Sequence, residues 1–120
     1  MKVIKMSEVK PEEATGALFK GKVTRQPLID PVLSGEFRVS LITFSPGAKN
    51  VFHSHTNDQV LCITEGKGIV ATESEEVTVG PGDVIFISAG EKHWHGAAKD
   101  ATFSHLYVMS PDQKTTQLED

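Results

Sequence analysis

Short runs of β-branched and aromatic residues recur along this chain, and each is closed by Gly, Pro, Asn or Asp. Residues 3–5, 18–24, 37–44, 60–64, 68–72, 76–79, 83–87 and 103–109 read as strands. Between them lie turn sequences such as Ser45-Pro46-Gly47-Ala48, Thr56-Asn57-Asp58, Gly80-Pro81-Gly82-Asp83 and Ala89-Gly90-Glu91-Lys92. Evenly spaced short strands with turn chemistry between them point to an all-β sandwich or barrel. One helical turn is expected over residues 7–14, where Ser7 can cap and Pro11 and Gly16 limit the length. Residues 111–120 are polar and aperiodic, and read as a loose tail.

At 120 residues the chain supports one hydrophobic core and is too short for two. The expected layout is a single domain, 1–120, with N-terminal strands in 1–36, a barrel core at about 37–109 and the tail at 111–120. A net charge of −4 with scattered Lys and Arg argues against nucleic acid or an anionic membrane as partner. No apolar stretch follows Lys2 and Lys5 as in a secretory signal, and none approaches the ~20 residues of a membrane span. The expectation is therefore a cytoplasmic protein whose partner is a small molecule. The single cysteine, Cys62, excludes an intramolecular disulfide and a zinc site of several thiolates; it reads as a small hydrophobe.

All five histidines fall between positions 53 and 105. His53 and His55 share a face if their segment is extended. Gln59 follows the Thr56-Asn57-Asp58 turn, so parity alone does not orient it. His93 comes just after Ala89-Gly90, and His95 is two residues further. A barrel can bring these segments together in its lumen. Three imidazoles suit a first-row transition metal and leave coordination positions open for water or substrate.

Gly47, five residues, His53-x-His55, three residues, Gln59, six residues, Gly66 resembles the first cupin motif. Gly82, five residues, Ser88-x-Gly90, two residues, His93 resembles the second. The resemblance implies a double-stranded β-helix, the cupin jelly-roll barrel, holding one divalent metal through His53, His55, Gln59 and His93. Departures are Gln59 for the usual glutamate, Ser88 for proline and Ala97 for asparagine. More narrowly, Phe44-Ser45-Pro46-Gly47-Ala48 and Gly90-Glu91-Lys92-His93-Trp94-His95-Gly96-Ala97-Ala98 resemble a subgroup of small bacterial cupins. It includes manganese-dependent hydroxynitrile lyases and cupins related to partners of carboxymuconolactone decarboxylases. The resemblance implies manganese first, with iron, zinc or nickel as alternatives. It also implies pocket histidines at His95 and His105, lyase chemistry, and a homodimer or homotetramer.

Gln59 bears on the chemistry. An amide oxygen brings no negative charge, so three imidazoles and Gln59 favour Lewis-acid work over oxidation of the metal. The alternative is that Gln59 bonds a metal-bound water. His95 and His105 are the candidate acid–base groups, each with a structural alternative: His95 orienting a ligand, His105 bonding the backbone. Phe103, His105, Tyr107 and Met109 share one face of the last strand. Ser40, Ile42, Phe44, Leu61, Phe103 and Tyr107 are the candidate substrate-pocket residues. Trp94, opposite in parity to His93, is expected to pack between sheets or subunits, and Asp58 to serve as a turn residue. Two other functions fit the same residues: iron-dependent dioxygenase chemistry, and a module that binds a metal or ligand without turnover.

Overall fold

The final long strand shows why the chain folds as it does. Phe103, His105 and Tyr107 are buried, whereas Leu106 and Val108 are only half-buried, so the alternating face turns inward. The same alternation, half-buried Arg38 then buried Ser40, Ile42 and Phe44, marks the strand beside it. The computed structural model describes residues 1–119. Its strands are β1 (Glu12–Glu13), β2 (Phe19–Lys20), β3 (Val23–Ile29), β4 (Arg38–Phe44), β5 (Lys49–Asn50), β6 (His53–His55), β7 (Gln59–Gly66), β8 (Gly68–Thr72), β9 (Glu76–Val79), β10 (Val84–Ile87), β11 (His93–Ala97), β12 (Phe103–Met109) and β13 (Thr115–Gln117).

The strands form two antiparallel sheets, the jelly-roll barrel that the strand pattern and the motifs imply. One is six-stranded in the order β1-β3-β4-β12-β7-β10. The other is built around β11, which pairs β8 on one side and β5 and β6 on the other, with β13, β2 and β9 outside. Phe44, Phe103, Leu61 and Val23 are fully buried between the sheets. Burial of each such side chain contributes ~1.5–3 kcal/mol.

Register in the six-stranded sheet lines residues up in rows. Arg25, Ile42, His105 and Ile63 are successive cross-strand partners. Arg38, Met109 and Gln59 form a second row. Val23, Phe44, Phe103 and Gly66 form a third. The β12–β7 ladder slips by one residue between Ser104 and His105, leaving Thr64 as the extra residue. That bulge matters to the site. In unbroken register His105 would face Thr64 and Met109 would face Val60, turning Gln59 outward. Gly66, at φ +80°, ends β7 where a Cβ would run into the Thr102 carbonyl oxygen, so only glycine fits.

Several expectations need correction. Residues 7–14 form no α-helical turn: a 3-10 turn at Met6–Glu8 leads to β1, which pairs β3. The Gln26 amide draws this segment onto the sheet by donating from Nε2 to the carbonyls of Met6 (3.0 Å) and Val9 (2.8 Å). Residues 3–5 are not a strand. The strand expected over 18–24 is split at Gly21, whose φ of +85° and close approach to Ala48 bend the chain between sheets. The tail is not loose: β13 pairs β6, aligning Thr115 with His55 and Gln117 with His53. Of the two places expected for Trp94, between sheets or between subunits, it does not take the first. Its ring is half-buried on an outer face, with the Lys49 ammonium 4.6 Å from its centroid. Among the described residues no helix is long and apolar enough to cross a membrane.

Candidate metal centre

β6 and β11 are neighbours with His53 directly opposite His93, and His55 follows on the same face of β6. The potential ligand nitrogens of His53, His55 and His93 all lie within 4.8 Å of one another. Ring centroids are 4.3 Å apart for His53–His93, 4.9 Å for His53–His55 and 5.3 Å for His55–His93. Two loop contacts hold the halves together. The Ala89 N–H donates to Asp58 Oδ1 at 2.8 Å, and the Gly90 N–H donates to the His55 carbonyl at 2.8 Å. Asp58 is thus a cross-link between the two motif loops as well as a turn residue.

Each imidazole is turned by an acceptor on its outer side. His53 Nδ1 lies 2.7 Å from the Val51 carbonyl, and His93 Nδ1 lies 2.8 Å from the Glu91 carbonyl. His55 Nδ1 lies 2.9 Å from Gln113 Oε1 and 3.0 Å from Thr115 Oγ1. A carbonyl only accepts, so Nδ1 carries the proton and Nε2 keeps its lone pair. On the inner side His55 Nε2, His93 Nε2 and Gln59 Oε1 are buried without a hydrogen-bond partner. Leaving such groups unmet costs ~1–3 kcal/mol each. Acceptors oriented by outer partners and left without donors are what a divalent cation requires. The residues fit a metal.

Burial lowers the pKa of all five histidines. His53 falls to about 3, through desolvation first and then His93, with the Val51 carbonyl opposing. His55 falls through burial and then His93, opposed by Gln113 and by the nearby Gln59 amide, which makes no hydrogen bond of good geometry. His93 falls through burial, opposed by the Glu91 carbonyl. His95 falls well below 6.5 through burial and then its histidine neighbours, His105 foremost. His105 falls to about 4 through burial, with the Leu106 backbone offsetting part. All are neutral at pH 7, the state that ligation needs.

These folded-state pKa values lie below the unfolded value of 6.5, so the unfolded chain binds more protons as pH falls below it. Metal-free protein should lose stability from about pH 6.5 downward, levelling for these groups near their folded values. At 1.36 kcal/mol per unit, His105 alone contributes on the order of 3 kcal/mol. Chemical denaturation in chelator across pH 4–7 measures this, and a midpoint that does not move would contradict it.

Beside the cluster is a cavity of about 190 Å³. Its lining includes His53, His55, Gln59, His95 and His105, together with Ile42, Phe44 and Tyr107 from the expected pocket set. Ser40, Leu61 and Phe103 are buried but do not line it. Ser40 is short, while Leu61 and Phe103 belong to the packed core. His93 is fully buried and is not among the lining residues.

Residues 40–109 match the Cupin_2 family, described as a cupin domain. The (R)-mandelonitrile lyase of Granulicella tundricola is 40% identical over 95 residues, spanning 76% of this chain and 70% of that protein. The chain belongs to the cupin family. Solved structures agree in fold. A cupin-like protein of Thermotoga maritima aligns with a TM-score of 0.84 at 28% identity, over 90% of this chain and 84% of that one. A polyketide cyclase of Streptomyces resistomycificus gives 0.90 at 24% identity, over 100% and 87%, a likeness of fold alone.

Within this cupin the two further histidines differ in surroundings. The Asn50 amide nitrogen lies 3.3 Å from His95 Nε2 and 3.4 Å from Nδ1, and Asn50 Oδ1 accepts the His95 backbone N–H at 2.9 Å. Asn50 therefore holds His95. His105, 4.8 Å from His95 between centroids, has no hydrogen bond of good geometry at either ring nitrogen. Sequence reasoning missed Leu18 and Phe19 of the lining, and with them the polar or flexible Arg25, Arg38, Asn50, Met109, Gln113 and Thr115. Strand parity with Ile42 and His105 carried a signal for Arg38 and Met109. Asn50 lies in a two-residue strand, and Gln113 and Thr115 lie in the tail, where no periodicity pointed to them.

Proposed function

We propose that this cupin is a metal-dependent lyase that cleaves, and in reverse forms, cyanohydrins of small aromatic aldehydes. The observation that carries the reading is His105: fully buried, neutral and without a hydrogen bond of good geometry at either ring nitrogen, in the cavity that His53 and His55 also line. The relative named (R)-mandelonitrile lyase supports the choice of substrate class. Size agrees, since an apolar cavity of roughly 150 Å³ holds one benzene and this one is about 190 Å³.

His53, His55 and His93, with Gln59 as an uncharged oxygen donor, are the residues that would hold the metal. When bound, it supplies Lewis acidity toward the substrate oxygen. His105 accepts the hydroxyl proton as the carbon–carbon bond to the nitrile breaks. The electron pair of that bond leaves on cyanide, and the carbonyl double bond forms. His105 then returns the proton, so the products are aldehyde and hydrogen cyanide. His95, fixed by Asn50, keeps His105 oriented through edge-on ring contact. Ile42, Phe44 and Tyr107 supply the apolar wall that limits water.

The test is absorbance of released benzaldehyde from racemic mandelonitrile with manganese-, iron- or zinc-loaded protein. Release above buffer with at least one metal, and enantiomeric enrichment of the remaining cyanohydrin, are expected. No release with any of the three would overturn the lyase reading in favour of a binding module.

A further inference from the structure

We propose that the substrate of this cavity carries a carboxylate, held by Arg38 and Arg25 at the end remote from the histidines. The inference deepens the reading above and rests on it only in taking this cavity as the substrate site.

Arg25 and Arg38 both line the cavity. In the sheet, Arg38 is separated from Gln59 by Met109, and Arg25 from His105 by Ile42. Each arginine backbone is therefore two strands, about 10 Å, from a group at the reactive end. A one-ring molecule with its oxygen at the histidines would extend its far end toward the guanidinium groups.

Charge and hydrogen bonding argue for an anion there. Among the described residues no Asp or Glu lines the cavity. Neither guanidinium donates a hydrogen bond among the described residues, although both side chains are half-buried. Arg25 has one ionic partner, Glu12, at 3.7 Å through Nε, and the Glu12 side chain is 61% exposed. Such an exposed pair holds little. Arg38 has no ion pair among the described residues. With an uncharged ligand set at the other end, the cavity has cations and no compensating anion of its own. A planar carboxylate matches the fork of a guanidinium through two parallel hydrogen bonds, which a neutral ring substituent cannot make.

Calorimetry on metal-loaded protein with two unreactive ligands tests this: 4-(hydroxymethyl)benzoate and its uncharged analogue 4-methylbenzyl alcohol. The benzoate should bind at least ~10-fold more tightly. The preference should fall toward unity in the double variant Arg25→Gln/Arg38→Gln, with metal content and affinity for the alcohol unchanged. Equal affinities in the wild type would overturn the proposal. A preference that survives the double variant would also overturn it, because the carboxylate would then be held elsewhere. A carboxylate preference lost in the variant, in a protein that cleaves no cyanohydrin, would support this proposal while sinking the lyase reading.

Discussion

Replacing His105 with alanine is expected to lower kcat for cyanohydrin cleavage by about 10²–10⁴-fold while leaving the metal bound. The imidazole is completely buried, and burial holds it neutral by pushing its pKa to about 4. It can therefore accept a proton throughout the neutral range. Neither nitrogen has a hydrogen-bond partner of good geometry, and only the Leu106 backbone stands near enough to affect the ring, so little holds the imidazole back. Its ring packs at tilted angles against Phe44 and Phe103 and edge-on against His95. Truncation could also loosen this packing, so two further readouts separate chemistry from structure. Metal content and the thermal transition should stay near wild type in His105→Gln, which keeps much of the volume. Added imidazole should restore part of the rate in His105→Ala. A variant with wild-type kcat would remove His105 from the proton transfer and leave His95 as the remaining candidate.

The second large effect concerns the metal. His53→Ala, His55→Ala and His93→Ala should each abolish stoichiometric binding, and dialysis of the wild type against chelator should abolish turnover. The cluster is pre-arranged by the outer contacts from Nδ1, so losing one ring also leaves two oriented, buried acceptors without a cation. Gln113→Ala should do less, because His55 Nδ1 keeps Thr115 Oγ1 as acceptor. Loss of one such outer partner typically weakens metal binding by about 10–100-fold, and the ligand substitutions should exceed that. Metal analysis after gel filtration and the metal-induced rise in melting temperature measure both effects. Full metal content in all three alanine variants would exclude this cluster as the site.

An all-β sandwich or barrel was legible because period-2 alternation survives in the long strands, 38–44, 59–66 and 103–109. The resemblance to the cupin motifs narrowed it to a jelly roll. The His53–His55 half of the cluster was legible because a His-x-His pair on one strand needs no tertiary information to share a face, and His93 was joined to it through the motif resemblance. The N-terminal turn and the tail were misread for a common reason. Gln26 holds the first through side-chain hydrogen bonds, and β6 recruits the second as β13, both contacts with residues distant in sequence. Local propensity does not report either one.

The sequence by itself determined an all-β chain with clustered histidines, because that depends on residue type and short spacing. Its resemblance to the cupin motifs named the type of barrel, the metal-ligand candidates and the two further histidines. Only the tertiary structure decided which groups meet. The bulge opposite His105 turns Gln59 inward, and the tail supplies the acceptors for His55. Asn50 engages His95 and leaves His105 free, and β3 and β4 bring two arginines to the same cavity. Each depends on the pairing register between strands far apart in the chain. A one-residue slip reverses every side chain it touches, and the period-2 pattern within one strand does not specify which residue of another strand lies opposite.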